Sequence, residues 1–310
     1  MRREFGRYRT DTLLARGGMG EVYLGSIAGA HGFARRVVIK VISGDLVTNE
    51  RYAMMFVDEA RIAAQLHHPN IVQTLDFDVS DGGVFLVTEY VAGLDMRALL
   101  KARQPPSYAL ATTIIAELAT GLAAAHDACD ATGSPLQIVH RDVSPSNVLL
   151  GVHGEVKLAD FGVAKARSRS YQTVSGTIKG KVPFMAPEQI RGGKLDGRAD
   201  IFALGVLLFE LTTGTRLYSA GSNTMAMEMI LRGDRPDPRV RRTGYPDALA
   251  AIVERALAFD RDDRYATASA LVDDLDDLTR DQRWSRSLAA LGAHVRAMSE
   301  HHDTQVELRA

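Results

Sequence analysis

Cysteine is almost absent from the 310-residue chain; Cys129 stands alone. A single thiol excludes an internal disulfide, and a reducing cytoplasm is the expected compartment. Net charge is almost absent too. The 37 basic and 38 acidic residues leave −1, so bulk charge gives no reason to expect a nucleic-acid partner. Long apolar runs are missing as well. The longest, Ile201 to Phe209, falls well short of the ~20 residues that span a bilayer, so no membrane segment is expected in this chain. Arg2, Arg3, Arg7 and Arg9 have no apolar stretch behind them, which argues against a secretory leader. No internal repeat or low-complexity tract is visible. What is present is an ordinary globular balance, 46% hydrophobic and 24% charged. The length exceeds the usual size of one compact core, so two lobes are expected.

The two lobes differ in character. Tyr8 to Leu14, Val22 to Gly25, Val37 to Ile42, Ile71 to Phe77 and Val84 to Glu89 have the β-branched and aromatic content of strands. One helix, roughly Glu50 to Leu66, interrupts them, which predicts a small sheet with a helix laid across it. After residue 95 helical spacing takes over. Leu110 to Asp127 carries Ile114, Ile115, Leu118, Leu122 and Ala125 on a helical period. Ile201 to Thr213 is apolar all round and reads as a buried helix.

The chemistry concentrates in His140-Arg141-Asp142-Val143-Ser144-Pro145-Ser146-Asn147. Asp142 and Asn147 share one short loop, and a strand-like run, Val148-Leu149-Leu150, follows. A second, Val156 to Ala159, leads into Asp160-Phe161-Gly162. Two carboxylates and an amide on a hairpin can hold a divalent metal through hard oxygen ligands. One of the carboxylates can instead accept a proton from a hydroxyl. Taken alone, the same residues also suit an ordinary hairpin whose Asp and Asn cap turns. Upstream, Ala15-Arg16-Gly17-Gly18-Met19-Gly20-Glu21-Val22 lies between two strands. Its glycines let backbone N–H groups approach phosphate oxygens. A dinucleotide fold needs a helix after such a loop; here a strand, Val22-Tyr23-Leu24, follows.

Together these segments resemble the protein kinase family. The loop resembles H-R-D-x-x-x-x-N, Asp160 opens D-F-G, and Ala186-Pro187-Glu188 matches A-P-E. Val38-Ile39-Lys40 is similar to the family's lysine strand, and Phe56-Val57-Asp58-Glu59-Ala60-Arg61 to its glutamate helix. Thr88-Glu89-Tyr90-Val91 resembles the hinge. The resemblance covers roughly residues 8 to 280 and looks most like bacterial, eukaryotic-like Ser/Thr kinases. The wording H-R-D-V-S-P-x-N is similar to a myxobacterial branch. It implies a bilobal α+β fold. The N-lobe, 1–91, is small and β-rich with one long helix. The C-lobe, 92–283, is larger and mainly helical, and a helical tail covers 284–310. In that tail Leu288, Leu291, Val295 and Met298 form one apolar helix face expected to pack on the helical lobe; a spacer toward a further region is the alternative.

The resemblance also implies roles. ATP and Mg²⁺ are the cofactors, and protein Ser/Thr hydroxyls the acceptors. Asp142 takes the hydroxyl proton, and Asn147 and Asp160 hold the metal. Lys40, paired with Glu59, aims at the phosphates. Gly17, Gly20 and Val22 cover the nucleotide, with Ala15 standing where the family has a first glycine. Thr88, Glu89 and Val91 line the adenine site. Asp95 meets the ribose, or simply opens a helix. Asp200 braces the catalytic loop, and Glu188 pairs with Arg264 in a buried bridge. Of the hydroxyls between D-F-G and A-P-E, Thr177 is the expected main phosphorylation site, with Ser175 and Thr173 secondary; a dimer phosphorylating in trans fits this expectation. Arg141 and Lys165 would receive that phosphate.

Two departures stand out. Ser144 occupies a position where Ser/Thr kinases usually carry lysine, and Lys181 one where they carry threonine. The same two chemical types are present with places exchanged. Lys181 is therefore expected to supply the cation near Asp142, hydrogen-bonded by Ser144; the alternative is that it points to solvent and the site works with one cation fewer. Both positions also bear on Ser/Thr against Tyr preference. A pseudokinase scaffold that binds nucleotide or partners is the alternative function; the presence of Lys40, Glu59, Asp142, Asn147 and Asp160 favours catalysis. A small-molecule kinase would share the acidic residues, but would have no reason for A-P-E and a hydroxyl-rich loop before it.

Overall fold

The computed structural model describes residues 3–17, 20–29, 32–42, 57, 60–80, 83–102, 104–161 and 181–307. They fall into two compact units, one reaching to Val91 and the other beginning at Ala92.

The first unit is built on an antiparallel sheet of six described strands: β1 (Glu4–Phe5), β2 (Tyr8–Gly17), β3 (Gly20–Ala28), β4 (Ala34–Val41), β5 (Thr74–Ser80) and β6 (Gly83–Glu89), in the order β1-β2-β3-β4-β6-β5. Alternation along β4 explains its two faces. Val37, Ile39 and Val41 are buried with Phe5, Tyr8, Tyr23, Phe85 and Val87 on one side. On the other face Leu86 and Val84 pack with Ile42 and Ala60, the latter within helical residues 60–63. Each Val, Leu, Ile or Phe among them contributes ~1.5–3 kcal/mol when removed from water. The β2–β3 ladder runs to the tip of the glycine-rich loop, where Gly17 faces Gly20. Gly20 has φ +146°, and a Cβ there would stand 2.0 Å from the Val41 carbonyl oxygen, so no other residue fits.

One expected strand moves. Residues 71–77 were expected to be extended, yet β5 starts at Thr74. The Gln73 N–H donates to the Glu89 carboxylate at 2.9 Å, so a side chain takes the place of a ladder partner there. Most of the expected helix Glu50–Leu66 lies outside the described residues.

The second unit holds a small sheet, β7 (Gly93–Asp95), β8 (Val148–Gly151) and β9 (Val156–Leu158), in that order. Its helices are α1 (Met96–Leu100), α2 (Tyr108–His126), α3 (Pro187–Ile190), α4 (Arg198–Thr213), α5 (Asn223–Arg232), α6 (Asp247–Ala256), α7 (Ala268–Asp281) and α8 (Leu288–Glu307). Caps define their ends. Ser107, Ser222 and Thr267 accept the N–H groups of Leu110, Met225 and Ala270, while Gly214 and Gly233 close α4 and α5 in the left-handed conformation. α4 is buried from Ala199 to Thr213, with α2 and α6 packed on it, which explains its lack of a polar face. α8 lies on β7 and β8. Leu291 and Val295 are buried there, Met298 is half-buried and Leu288 exposed.

Candidate active site

The catalytic loop is held from beneath by Asp200 at the start of α4. This carboxylate is 1% exposed. Its two oxygens accept the backbone N–H groups of His140 and Arg141, each at 2.8 Å. His126, the last residue of α2, adds a third contact at 2.8 Å. Burial alone would raise the Asp200 pKa. The His126 hydrogen bond and charge, helped by His140, outweigh it and hold the group below the usual carboxylate range. Arg141 sits at φ +64°, an unfavourable conformation for a residue with a Cβ. Its peptide is clamped on both sides, because Gln189 Nε2 donates to the Arg141 carbonyl at 3.0 Å while Gln189 Oε1 accepts the Ala186 N–H at 2.9 Å.

His140 is fully buried, and burial pushes its pKa down, so the ring is neutral. Nδ1 accepts the Asp142 N–H at 3.2 Å, which leaves the proton on Nε2 to donate to the Ala159 carbonyl at 3.1 Å. The loop is thereby tied to the hairpin. The hairpin register pairs Val148 with Leu158, and the Ala159 N–H donates to the Asn147 carbonyl at 2.8 Å. Asn147 and Asp160 consequently share one end of it.

Asp142 and Asn147 are in contact. Asn147 Nδ2 donates to the Asp142 carbonyl at 2.8 Å and to its Oδ2 at 3.1 Å. Lys181 Nζ forms an ion pair with the same Oδ2 and stands 3.5 Å from Asn147 Oδ1. Val182, fully buried, anchors the turn Val182–Phe184 against α4 and α5 and so fixes the backbone that carries Lys181. The expected Ser144–Lys181 hydrogen bond is not formed. Ser144 Oγ pairs with Ser146 Oγ at 3.2 Å instead. A lysine choosing between a neutral hydroxyl and a carboxylate gains more from the charged acceptor.

The other candidates divide by unit. In the first, Ala15 and Val22 are register partners beneath the glycine tip. Lys40 is half-buried on β4, opposite Leu86, and so faces the side that carries Ala60. Thr88 lies opposite Val38 and Glu89, half-buried, opposite Val37 at the end of the ladder; the half-buried Val91 follows. In the second unit, Asp95 caps α1 by accepting the Arg97 N–H at 2.9 Å and pairs with the Arg97 guanidinium at 2.6 Å. Glu188 and Arg264 form a two-pronged bridge at 2.7 and 2.9 Å. Three carbonyls, of Ala258, Arg198 and Phe259, take the remaining guanidinium hydrogens. Glu59, Gly162, Lys165, Thr173, Ser175 and Thr177 lie outside the described residues.

His126, Gln189 and Glu210 escaped the reading of the sequence. His126 reads as a helix-end residue, Gln189 merely follows A-P-E, and Glu210 is hidden in an apolar helix.

For a metal, the donor set is one amide oxygen, Asn147 Oδ1, and one carboxylate, Asp160. Among the described residues no group of three or more His, Cys, Asp or Glu would hold an ion unaided. That set suits Mg²⁺, which takes one or two protein oxygens and completes its shell with phosphate and water.

The protein kinase domain model matches residues 8–275. The tyrosine-protein kinase MasK of Myxococcus xanthus is 41% identical over 296 residues, 94% of this chain and 46% of that protein. The serine/threonine-protein kinase PrkC of Bacillus subtilis is 33% identical over 270 residues, 87% of this chain and 40% of that protein. The chain thus spans about half the length of the curated relatives it matches. The crystal structure of the Mycobacterium tuberculosis PknI kinase domain, in a cysteine-to-alanine mutant, superposes with TM-score 0.65 at 26% identity, over 88% of this chain and 96% of that one.

Proposed function

The chain belongs to the protein kinase domain family, and from that membership we propose that it transfers the γ-phosphoryl group of ATP, with Mg²⁺, to Ser and Thr hydroxyls of proteins. The observation that carries the proposal is the Asp142 carboxylate, bonded by Asn147 and Lys181 on a loop fixed by Asp200.

Asp142 orients the acceptor hydroxyl and takes its proton as the new O–P bond forms and the bond from the γ-phosphorus to the bridging oxygen breaks, releasing ADP. Asn147 Oδ1 and Asp160 are the residues to hold the metal. Bound Mg²⁺ supplies neutralisation of phosphate charge. Lys40, Ala15, Gly17, Gly20 and Val22 serve the phosphates, with Glu59 as the partner of Lys40. Thr88, Glu89 and Val91 serve the adenine, and Asp95 the ribose. Lys181 provides the cation that Ser144 does not, on the carboxylate next to which negative charge develops. Phosphorylation at Thr177, with Ser175 and Thr173 secondary, activates the enzyme, and two copies phosphorylate each other. A cytoplasmic location, where ATP is available, accords with this reading.

The name of MasK favours a second reading, transfer to tyrosine. Incubation of the purified chain with radiolabelled ATP and Mg²⁺, followed by phosphoamino-acid analysis and mapping of the labelled residues, tests all of this. Label on Ser and Thr, Thr177 foremost, is expected, and loss of label in Lys40→Ala and Asp142→Ala. Label on tyrosine alone selects the second reading. Nucleotide binding without transfer, even after activation by other kinases, would leave a scaffold.

A further inference from the structure

Next to Asp142 the second unit has a cavity of about 380 Å³. Its wall includes Ser144 and Lys181, so it adjoins the carboxylate that is to meet the acceptor hydroxyl. Cations reach it from three separate segments: Arg97 and Lys101 around the end of α1, Lys181, and Arg216 beyond α4. Arg97 is occupied by Asp95, and Lys181 by Asp142. Lys101 and Arg216 are exposed and have no ion pair with a described residue. Glu210 is the one carboxylate in the wall. It is 4% exposed, and one of its oxygens accepts the Leu217 N–H at 3.3 Å. Burial raises its pKa to about 7, so near neutrality it carries only part of a charge. The cavity is therefore positive on balance: Lys101 and Arg216 are its exposed cations, and Arg216 lies near enough to Glu210 to oppose the rise in its pKa.

We infer that this cavity reads an acidic side chain, Asp or Glu, of the protein substrate close to the hydroxyl that receives the phosphate. The inference rests on the phosphoryl-transfer reading, which puts the acceptor at Asp142. An extended chain advances ~3.3–3.6 Å per residue, so side chains within about three residues of the acceptor reach the cavity. The volume lies within the ~300–1,000 Å³ of sites that enclose a ligand. A carboxylate there meets Lys101 and Arg216, whereas an arginine meets two like charges and a partly protonated Glu210.

The test separates recognition from catalysis. Fluorescent peptides are made with Ala at the acceptor position and Asp, Ala or Arg at the flanking positions, and their binding to the purified chain is followed by anisotropy. The Asp peptide is expected to bind about fivefold more tightly than the Ala peptide, or about 1 kcal/mol, and the Arg peptide more weakly than both. Raising the salt to ~0.5 M should erase most of the difference. The double substitution Lys101→Glu with Arg216→Glu should invert the order; should that variant fail to melt cooperatively, the single Lys101→Ala and Arg216→Ala changes should each shrink the Asp advantage. Equal affinities, or tighter binding of the Arg peptide through Glu210, would overturn the inference. Peptides with Ser at the acceptor, incubated with ATP and Mg²⁺, report on transfer separately. Preference without transfer would defeat the kinase reading alone, and transfer without preference the inference alone.

Discussion

At the scale of single residues, Lys181 and Glu210 show how position decides chemistry. Lys181 shares the Asp142 carboxylate with Asn147, and at 31% exposure it is half withdrawn from water, where a charge acts more strongly than at the surface. If it stabilises the transferring phosphoryl group, Lys181→Ala lowers kcat by about tenfold, about 1.4 kcal/mol. The paired change Ser144→Lys with Lys181→Thr recovers much of that loss, and neither single change does. Unchanged kcat with a raised peptide KM would make Lys181 a substrate contact instead. Glu210 bears on stability. Its pKa rises from an ordinary 4.5 to about 7 in the folded chain. The folded state thus holds a proton that the unfolded state has released, and the stability this confers is complete below pH 4.5 and fades as pH climbs through about 7. The whole span is worth about 3 kcal/mol, of which about 1 kcal/mol disappears between about pH 6 and 8. Glu210→Gln, which cannot ionise, should flatten that part of the Tm-against-pH curve. An unaltered slope would show that Glu210 is not the group responsible.

At the scale of elements, the catalytic loop depends on helices that it does not belong to. Its shape is imposed by the N-terminal turn of α4 through Asp200, by the C-terminus of α2 through His126, and by α3 through Gln189. The bridge from Glu188 in α3 to Arg264 anchors the next layer outward. The Arg264 side chain is fully buried, and each of its five hydrogens has an acceptor, so removing the carboxylate strands a charge away from water. Glu188→Ala should cost ~3–5 kcal/mol by denaturant unfolding. A loss below ~1 kcal/mol, typical of exposed pairs, would mean that water reaches the guanidinium.

At the scale of the whole molecule, two units of different construction carry the candidate residues, and the sequence told them apart. β-branched and aromatic content marked the strands of the first, and an all-apolar run marked α4 of the second, because a pleated surface favours such side chains and burial on every face leaves no polar one. Asp142, Asn147, Asp160 and Lys40 were legible for a related reason: each sits within a few residues of the turn or strand that presents it. The start of β5 was not legible, since a side chain of β6 displaced a ladder partner. By itself the sequence determined the order of elements, the protein kinase resemblance and the chemical types around Asp142. Tertiary structure decided the contacts that the sequence did not name, and the atoms that meet in those it did. Lys181 meets Asp142 across 39 positions, Gln189 meets Arg141 across 48, and His126 meets Asp200 across 74. Ser144 pairs with Ser146 and not with the lysine, whose ammonium lies on the Asp142 carboxylate. A hydrogen bond goes to the strongest partner within about 3 Å, and which groups come that close is set by the packing of the helices.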